Sequence, residues 1–315
     1  MPDQLRCAVI GAGHIGRFHA EKYARHGDAR LVAVVDVDAA RADAVAAPLG
    51  VAGWTDLERL AGVVDAVSIC TPTGLHAPIA RHCIDAGIHV LVEKPIAETV
   101  ADADAMIAAA DAAGVVLQVG HLERFSLRAL EIDGALDRPQ FVDARRLTAF
   151  RGRSAEVSVV LDLMIHDIDL ALSIAGAPIA TVTAVGAPVV SAVEDHAAAE
   201  IGFANGCRAT LLASRVSPLA ERSLRILQPT GEIAVDLLRR SLLVTRATGP
   251  GAMPAARETS RIDGDPLGAQ IDAFIACVRS GARPIVDGRA GRDALGAAIR
   301  IMDAIRAAAR GNRHA

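Results

Sequence analysis

Short apolar runs alternate with amphipathic stretches over the first 120 residues. The runs are almost continuous in Val, Ile, Leu and Ala, which is typical of parallel strands buried on both faces of a sheet. They occupy Arg6–Ile10, Leu31–Val35, Asp65–Cys70, Ile88–Val92 and Val115–Val119. Helical patterns separate several of them, at His14–His26, Leu75–Ala86 and Val100–Ala113. This strand–helix alternation predicts an α/β domain with a doubly wound parallel sheet, over residues 1–121.

The pattern changes after His121, and residues 122–315 are predicted to form a second α/β domain. Strand-like segments follow one another from Ile179 to about Thr248, with a hairpin signal at Asn205-Gly206. Strands in succession predict a largely antiparallel sheet. The other predicted elements are a strand at Gln140–Phe150, a long helix at Val157–Ala175, a mobile loop at Ala247–Asp265, and helices at Pro266–Ser280 and Arg289–Arg310.

Composition narrows the class of protein. A length of 315 residues fits two domains, and 52% hydrophobic residues allow a large core. A net charge of -4 gives no electrostatic argument for nucleic acid. The five cysteines are odd in number and show no CxxC spacing, which argues against disulfides and zinc and for a reducing compartment. With neither a signal-peptide pattern nor an apolar run of about 20 residues, we expect a cytoplasmic protein without a membrane span.

A glycine-rich motif follows the first predicted strand. Gly11-Ala12-Gly13-His14-Ile15-Gly16 has the GxGxxG spacing that allows a tight turn, close approach of a pyrophosphate and close packing of the helix. Asp36 ends the next strand twenty positions after Gly16, which is the spacing of an acid that binds an adenosine ribose. This acid favours NAD over NADP, although Arg41 lies near enough in sequence to weaken the preference. The alternative is a glycine-rich turn without a ligand.

Lysine is rare in this chain. Lys22 and Lys94 are the two lysines among 33 basic residues. Lys94 stands in Glu93-Lys94-Pro95, directly after an apolar strand, and ligands of open α/β sheets bind at the carboxyl ends of strands. The alternative is an ordinary solvated lysine at a strand end.

A polar stripe marks the helix predicted over Val157–Ala175. Asp162 and His166 are i, i+4 neighbours, Asp169 and Ser173 extend the stripe, and most other positions are apolar. The helix therefore either faces a cleft or is a capped surface helix; a metal site has no convincing third ligand. For hydride removal from an alcohol, His166 suits the role of base and the Lys94 ammonium suits stabilisation of the alkoxide, with Asp162 orienting the imidazole.

These residues together resemble the glucose-fructose oxidoreductase/inositol dehydrogenase (Gfo/Idh/MocA) family. The resemblance extends over nearly the whole chain and includes Thr71-Pro72-Thr73 with His76. It implies a Rossmann NAD-binding domain followed by a substrate domain, with Lys94 and His166 as the catalytic pair and Asp162 assisting. Thr71, Pro72 and His76 would border the nicotinamide side of the dinucleotide, and Glu93 and Lys94 are further expected cofactor-binding residues. Many members carry glycine where this chain has Met164, which is expected to alter the substrate pocket.

Narrower features resemble members that oxidise nucleotide sugars, the UDP-N-acetylglucosamine 3-dehydrogenases. They lie in Val119–Phe125, Phe150–Ser154, Leu161–Leu170 and Ala213–Ser217, although relatives commonly have Asn where Leu122 stands. The implied substrate residues are His121, Arg124, Arg151 and Arg215. Arginines can bind a diphosphate bidentately, but each of these can equally be a surface residue.

The resemblance implies oxidation of the 3-hydroxyl of a UDP-N-acetylhexosamine, with a PLP aminotransferase acting downstream in lipid A synthesis. It also implies a homodimer or homotetramer. Two alternatives stay open: a dehydrogenase of polyols or free sugars, and a non-catalytic NAD-binding regulator. Since a regulator needs none of Lys94, Asp162 and His166, their joint presence argues against it.

Overall fold

A computed structural model describes residues 4–150, 152, 155–247, 249, 253–259 and 264–311 of the chain. The chain divides into two compact domains. The N-terminal domain comprises the residues up to Leu122 together with Asp265–Asp293, and the C-terminal domain comprises Glu123–Gly264 together with the residues from Ala294 onwards. Among the described residues, no helix combines the length and the apolar composition that crossing a membrane requires.

The N-terminal domain is built on a six-stranded parallel sheet of order β3-β2-β1-β4-β5-β6. The predicted doubly wound parallel sheet is therefore confirmed. Its strands are β1 Leu5–Ile10, β2 Ala29–Val35, β3 Ala52–Trp54, β4 Ala66–Ile69, β5 His89–Glu93 and β6 Leu117–Gly120. Its helices are α1 His14–Arg25, α2 Ala39–Ala46, α3 His76–Asp85, α4 Val100–Ala113 and, from the later part of the chain, α7 Pro266–Ser280.

The strand order reverses between β1 and β4, which places a crevice beyond the carboxyl ends of these strands. Both strands are mostly apolar because helices cover both faces of the sheet; Val9 and Val67, for example, are fully buried. Local signals mark both ends of α4. Thr99 caps the N-terminus of α4 through its hydroxyl, and Gly114 ends that helix in the left-handed conformation.

The C-terminal domain contains an eight-stranded sheet of order β14-β13-β12-β11-β7-β10-β9-β8. All neighbouring pairs are antiparallel except β7 with β10, which confirms the largely antiparallel sheet. Its strands are β7 Phe141–Leu147, β8 Ile179–Ala187, β9 His196–Phe203, β10 Arg208–Ser214, β11 Glu221–Gln228, β12 Gly231–Asp236, β13 Ser241–Arg246 and β14 Ala255–Thr259. Its helices are α5 Glu123–Ala129, α6 Ile165–Ala175 and the greater part of α8 Gly288–Gly311.

The core of this domain lies between α6, α8 and one face of the sheet. Ile168 of α6 and Ile301 of α8 are fully buried in the same cluster as Ala199 and Leu211 of the sheet. The hairpin predicted at Asn205-Gly206 joins β9 and β10, with Gly206 at φ +87°.

Three sequence-based expectations differ from the structure. The helix predicted at Val157–Ala175 is regular only in α6, because Val160–Met164 forms a π-helical turn. The loop predicted at Ala247–Asp265 contains β14, which pairs with β13; residues 248, 250–252 and 260–263 lie outside the described part. The sequence also predicted one domain boundary, after residue 121, whereas Asp265–Asp293 returns to the N-terminal domain.

Packing of α7 on α1 explains this return. Phe274 and Ile275 of α7 are buried in the same cluster as Ala20 and Tyr23 of α1. Burial of such side chains stabilises the packed state by about 1.5–3 kcal/mol each.

Candidate active site

The glycine loop joins β1 to α1 at the crevice. Gly11 has a φ of +100°, and a Cβ there would lie 2.6 Å from the carbonyl oxygen of Cys70. A Cβ on Gly16 would lie 1.8 Å from the carbonyl oxygen of Gly11. A Cβ on Gly13, in contrast, would meet nothing within 4 Å. The outer glycines are therefore required by the fold, whereas Gly13 keeps space open above the loop.

The N-terminus of α1 is suited to bind an anion. Its N-cap is Gly13, and among the described residues no side chain caps it. Its first turn contains no acidic residue. The unpaired N–H groups and the helix dipole therefore present partial positive charge to the crevice, as phosphate binding requires.

A cleft of about 720 Å³ opens beside this loop, within the N-terminal domain. Seven of the sequence-predicted cofactor residues line it: Gly11, Gly13, His14, Ile15, Asp36, Thr71 and Pro72. The sequence reasoning missed nine further lining residues, which are Ile10, Val35, Val37, Thr55, Asp56, Leu57, Cys70, Leu75 and Ile79. The sequence signal for Val37 is its position directly after Asp36; in the structure its side chain is 87% exposed and can flank a flat ring.

Asp36 is held in place by hydrogen bonds. One carboxylate oxygen accepts the N–H of Ala12 at 2.8 Å, and the other accepts the N–H of Asp38 at 3.0 Å and the Arg41 guanidinium at 2.8 Å. Partial burial raises the pKa of Asp36, but these hydrogen bonds outweigh it and the pKa is lowered. The carboxylate is therefore charged at neutral pH, and Arg41 lies directly beside it in the cleft.

Four residues predicted at the cofactor do not line this cleft: Gly16, His76, Glu93 and Lys94. Gly16 lies beneath the loop. His76 is buried and its ring lies between two backbone carbonyl groups. Glu93 ends β5 with its carboxylate toward His19, and the half-buried Lys94 follows it, joined to Pro95 by a cis peptide bond.

Asp162 and His166 lie at the start of the helical segment of the C-terminal domain. Asp162 is in the π-helical turn and His166 in the first turn of α6, and both are half-buried. Met164, expected to affect a substrate pocket, is instead fully buried in the hydrophobic core of this domain. A glycine at this position would remove the side chain and leave space in that core.

Two arginines fasten α6 to its neighbours. Arg146 of β7 is 3% exposed and binds Asp167 at 2.8 Å and Glu123 at 2.9 Å. The two carboxylates outweigh the cost of burial and raise the pKa of this guanidinium. Arg124 of α5 binds both carboxylate oxygens of Asp169, at 2.7 and 3.1 Å, and also the hydroxyl of Ser173. The Asp169–Ser173 end of the polar stripe therefore binds an arginine.

The other predicted substrate residues have varied surroundings. Arg215 is 3% exposed, donates to the backbone carbonyl groups of Val157 and Glu194, and lies 3.5 Å from Asp195. His121 is buried directly after β6. Arg151 lies outside the described residues. Arg124 and Arg215 thus have structural partners within their own domain.

A Rossmann sheet with a glycine cradle, an open helix N-terminus and a charged acid after β2 defines a dinucleotide-binding protein. The family model described as "Oxidoreductase family, NAD-binding Rossmann fold" matches residues 5–121, and the "GFO/IDH/MocA C-terminal domain" matches residues 127–234. The chain belongs to the Gfo/Idh/MocA family of oxidoreductases.

The relatives include enzymes that act on sugars and polyols. The chain is 38% identical to UDP-N-acetylglucosamine 3-dehydrogenase of Acidithiobacillus ferrooxidans, over 96% of this chain and 98% of the relative. A solved structure of that enzyme superposes with a TM-score of 0.91 at 37% identity, covering 96% and 98% of the two chains. The scyllo-inositol 2-dehydrogenase (NAD(+)) of Bacillus subtilis is 28% identical, over 91% and 90%.

Proposed function

We propose that this enzyme is an NAD-dependent dehydrogenase that oxidises the 3-hydroxyl of a UDP-N-acetylhexosamine to a ketone. The observation that carries the proposal is the end-to-end likeness to the Acidithiobacillus enzyme, at 38% identity, compared with 28% for the inositol dehydrogenase. The likeness includes both domains, so it extends to the domain that would bind the sugar.

The residues of the N-terminal cleft fit a nicotinamide dinucleotide. Space above Gly13 and the free N-terminus of α1 suit its pyrophosphate, and the charged Asp36 suits ribose hydroxyls. NAD is the proposed cofactor because the Asp36 carboxylate repels a 2′-phosphate. When bound, the nicotinamide supplies the chemistry by accepting a hydride.

The chain's own residues would manage the proton and the developing charge. We assign His166 as the base that takes the hydroxyl proton and Lys94 as the cation that stabilises the alkoxide, with Asp162 orienting the imidazole. His121, Arg124, Arg151 and Arg215 stay candidate substrate residues on the strength of the family resemblance. For Arg124 and Arg215, a substrate diphosphate would have to share guanidinium groups that already bind protein oxygens.

A substrate panel tests the assignment. Purified enzyme with NAD is offered UDP-N-acetylglucosamine, UDP-N-acetylgalactosamine, free hexoses and inositols, and NADH absorbance is followed. We expect turnover with a UDP-N-acetylhexosamine. NADH formation only with inositols or hexoses would instead establish the polyol or free-sugar dehydrogenase. Binding of NAD without turnover of any compound would favour the regulator.

Variants test the residues separately from the substrate. Lys94→Ala and His166→Ala should bind NADH as the wild type does, yet lose turnover by about two orders of magnitude or more. Lys22→Arg is the matched control, because it changes the other lysine, whose partner Asp265 can accept equally from arginine. Normal turnover by both alanine variants would show that the catalytic assignment is wrong.

The expected partners belong to the same proposal. A 3-keto sugar is a substrate for a PLP aminotransferase, which we expect to act next. We also expect a homo-oligomer, because Val185, Leu227 and Leu243 are at least 40% exposed on the sheet face opposite α6 and α8. Light scattering during size-exclusion chromatography measures the state; a monomer would contradict this expectation.

A further inference from the structure

Two buried histidines bind the residues on either side of Lys94. His19 comes from α1, and its Nε2 lies 3.2 Å from the Oε1 of Glu93. His76 comes from α3, and its Nδ1 lies 2.8 Å from the carbonyl oxygen of Pro95. Both histidines are at most 1% exposed. The tripeptide Glu93-Lys94-Pro95 is thus held at both ends by side chains from other elements of the same domain.

The His19 ring belongs to a chain of polar groups directed at Glu93. Its Nδ1 lies 3.0 Å from the hydroxyl of Ser68, which lies 2.9 Å from the hydroxyl of Tyr23. Every group in this hydrogen-bonded series has a partner under one assignment of donors. Tyr23 then donates to Ser68, Ser68 donates to Nδ1 of His19, and the Nε2–H of His19 donates to the carboxylate. A buried polar group without a partner costs free energy of folding, so this hydrogen-bonded series fixes the orientation of the imidazole.

The Glu93 carboxylate has a defined position. Burial raises its pKa, but the hydrogen bond from His19, the charge of Lys94 and the backbone N–H of Lys94 outweigh this and lower it. A Cβ on Gly120 would lie 2.6 Å from Oε1, so β6 leaves just enough room for the carboxylate. Glu93 is therefore a charged acceptor that links His19 to the backbone of Lys94.

His76 connects the same tripeptide to the cofactor cleft. Its Nε2 lies 2.9 Å from the carbonyl oxygen of Thr71, and Thr71 lines the cleft beside the glycine loop. Carbonyl oxygens only accept hydrogen bonds, so the imidazole is the donor to Thr71, to Pro95 or to both. A ring in this position couples the turn after β4 to the residue that follows Lys94.

We propose that His19 and His76 are positioning residues, which place the Lys94 ammonium by fixing the backbone on both of its sides. The proposal rests on the catalytic role proposed for Lys94. Core histidines that served only packing would not need four hydrogen-bond partners at 2.8–3.2 Å, two of them in residues adjacent to one lysine. Loss of either contact should displace the ammonium without emptying the cofactor cleft.

The two-lysine composition provides a direct test. Reductive methylation with ¹³C-formaldehyde labels Lys22, Lys94 and the N-terminal amine, and NMR resolves their dimethylamine signals; Lys22→Arg and Lys94→Arg assign them. In His19→Phe and His76→Phe we expect the Lys94 signal to shift or split while the Lys22 signal stays in place. Lys22 is a suitable internal reference because its partner is Asp265, not the tripeptide.

Kinetics on unlabelled enzyme give the second measurement. We expect kcat to fall about a hundredfold in the phenylalanine variants, as for a misplaced catalytic group. KM and NADH affinity should change little in His19→Phe, because the contacts of His19 are with Ser68 and Glu93. His19→Gln can still donate to Glu93, so it should recover part of the loss. If His19→Phe does not fold, Glu93→Gln, which keeps the side-chain volume, replaces it in both measurements. If His76→Phe does not fold, His76→Leu replaces it.

The outcomes separate this proposal from the proposed function. Suppose that folded His19→Phe and His76→Phe keep the wild-type Lys94 signal and the wild-type kcat, while Lys94→Ala is inactive. This result would overturn the positioning role alone. Normal turnover by Lys94→Ala would overturn the catalytic assignment, whatever the NMR spectra show. Equal shifts of the Lys22 and Lys94 signals would indicate a general structural change and would also overturn the positioning role.

Discussion

Arg146→Ala is expected to destabilise the C-terminal domain strongly. The substitution removes the guanidinium that binds Asp167 and Glu123, which are 3% and 7% exposed. Arg222, 3.9 Å from Glu123 and half exposed, can compensate Glu123 in part. Asp167 loses the most electrostatic stabilisation, because burial already raises its pKa and the opposing charge of Arg146 would be gone.

The magnitude follows from the burial of the cluster. Removing one partner of a buried ion pair costs about 3–5 kcal/mol, because the other charge stays buried without compensation. With an m-value of about 3 kcal/mol/M, the lower limit corresponds to a fall of about 1 M in the urea midpoint. Arg225→Ala is the matched control. It breaks the pair with Glu232 on the same sheet, but Arg225 is 57% exposed, and such a pair contributes about 0–1 kcal/mol.

Urea unfolding followed by circular dichroism measures both variants. The stability difference between Arg146→Ala and wild type should also shrink as the pH falls, because protonation neutralises the buried Asp167 carboxylate in the folded state. Similar midpoints for Arg146→Ala and Arg225→Ala at neutral pH would refute the argument from burial.

Three further predictions concern single sites. Gly13→Ala should unfold at the wild-type urea concentration but bind NADH about tenfold more weakly or worse. Gly16→Ala should instead lose stability, because its Cβ meets the Gly11 carbonyl group. Urea titration and NADH fluorescence distinguish the two variants. Asp36→Ala should raise the ratio of kcat/KM for NADP over NAD by about tenfold, the effect of one charged interaction, and an unchanged ratio would contradict the proposed cofactor preference. Burial opposes ionisation of Asp195, but three backbone N–H groups and Ser191 lower its pKa, so its contribution to stability is present above about pH 4 and lost as the pH falls further. Asp195→Asn should therefore be less stable than wild type at pH 7, and a midpoint difference that does not diminish below pH 4 would contradict this account.

The sequence predicted what local patterns determine. The buried parallel strands were recognisable because they are continuous in apolar residues, and α4 and α7 were located at their observed bounds. Each of these helices has a polar N-cap, Thr99 or Asp265, and a glycine at its C-terminus. The glycine loop with Asp36 was located for a similar reason, since its spacing follows from the geometry of a single strand–helix–strand unit, β1-α1-β2.

Contacts between distant residues were not predictable in the same way. Arg124 binds Asp169, forty-five positions along the chain, and nothing in the sequence around Arg124 indicated this partner. A periodicity of 3.6 residues indicated a helix through Asp162, and nothing in the residue types distinguished the π-helical turn from it. His19 was missed because a histidine on a helix, taken by sequence alone, has no visible partner; Glu93 is seventy-four positions away.

Isotope transfer tests the central claim most directly. UDP-N-acetylglucosamine deuterated at C3 is incubated with the enzyme and NAD, and the reduced cofactor and the sugar product are analysed by mass spectrometry. The proposed reaction predicts deuterium in the NADH and a 3-keto UDP-sugar in equal amount. Turnover that leaves the deuterium on the sugar, or NADH that contains none, would contradict it.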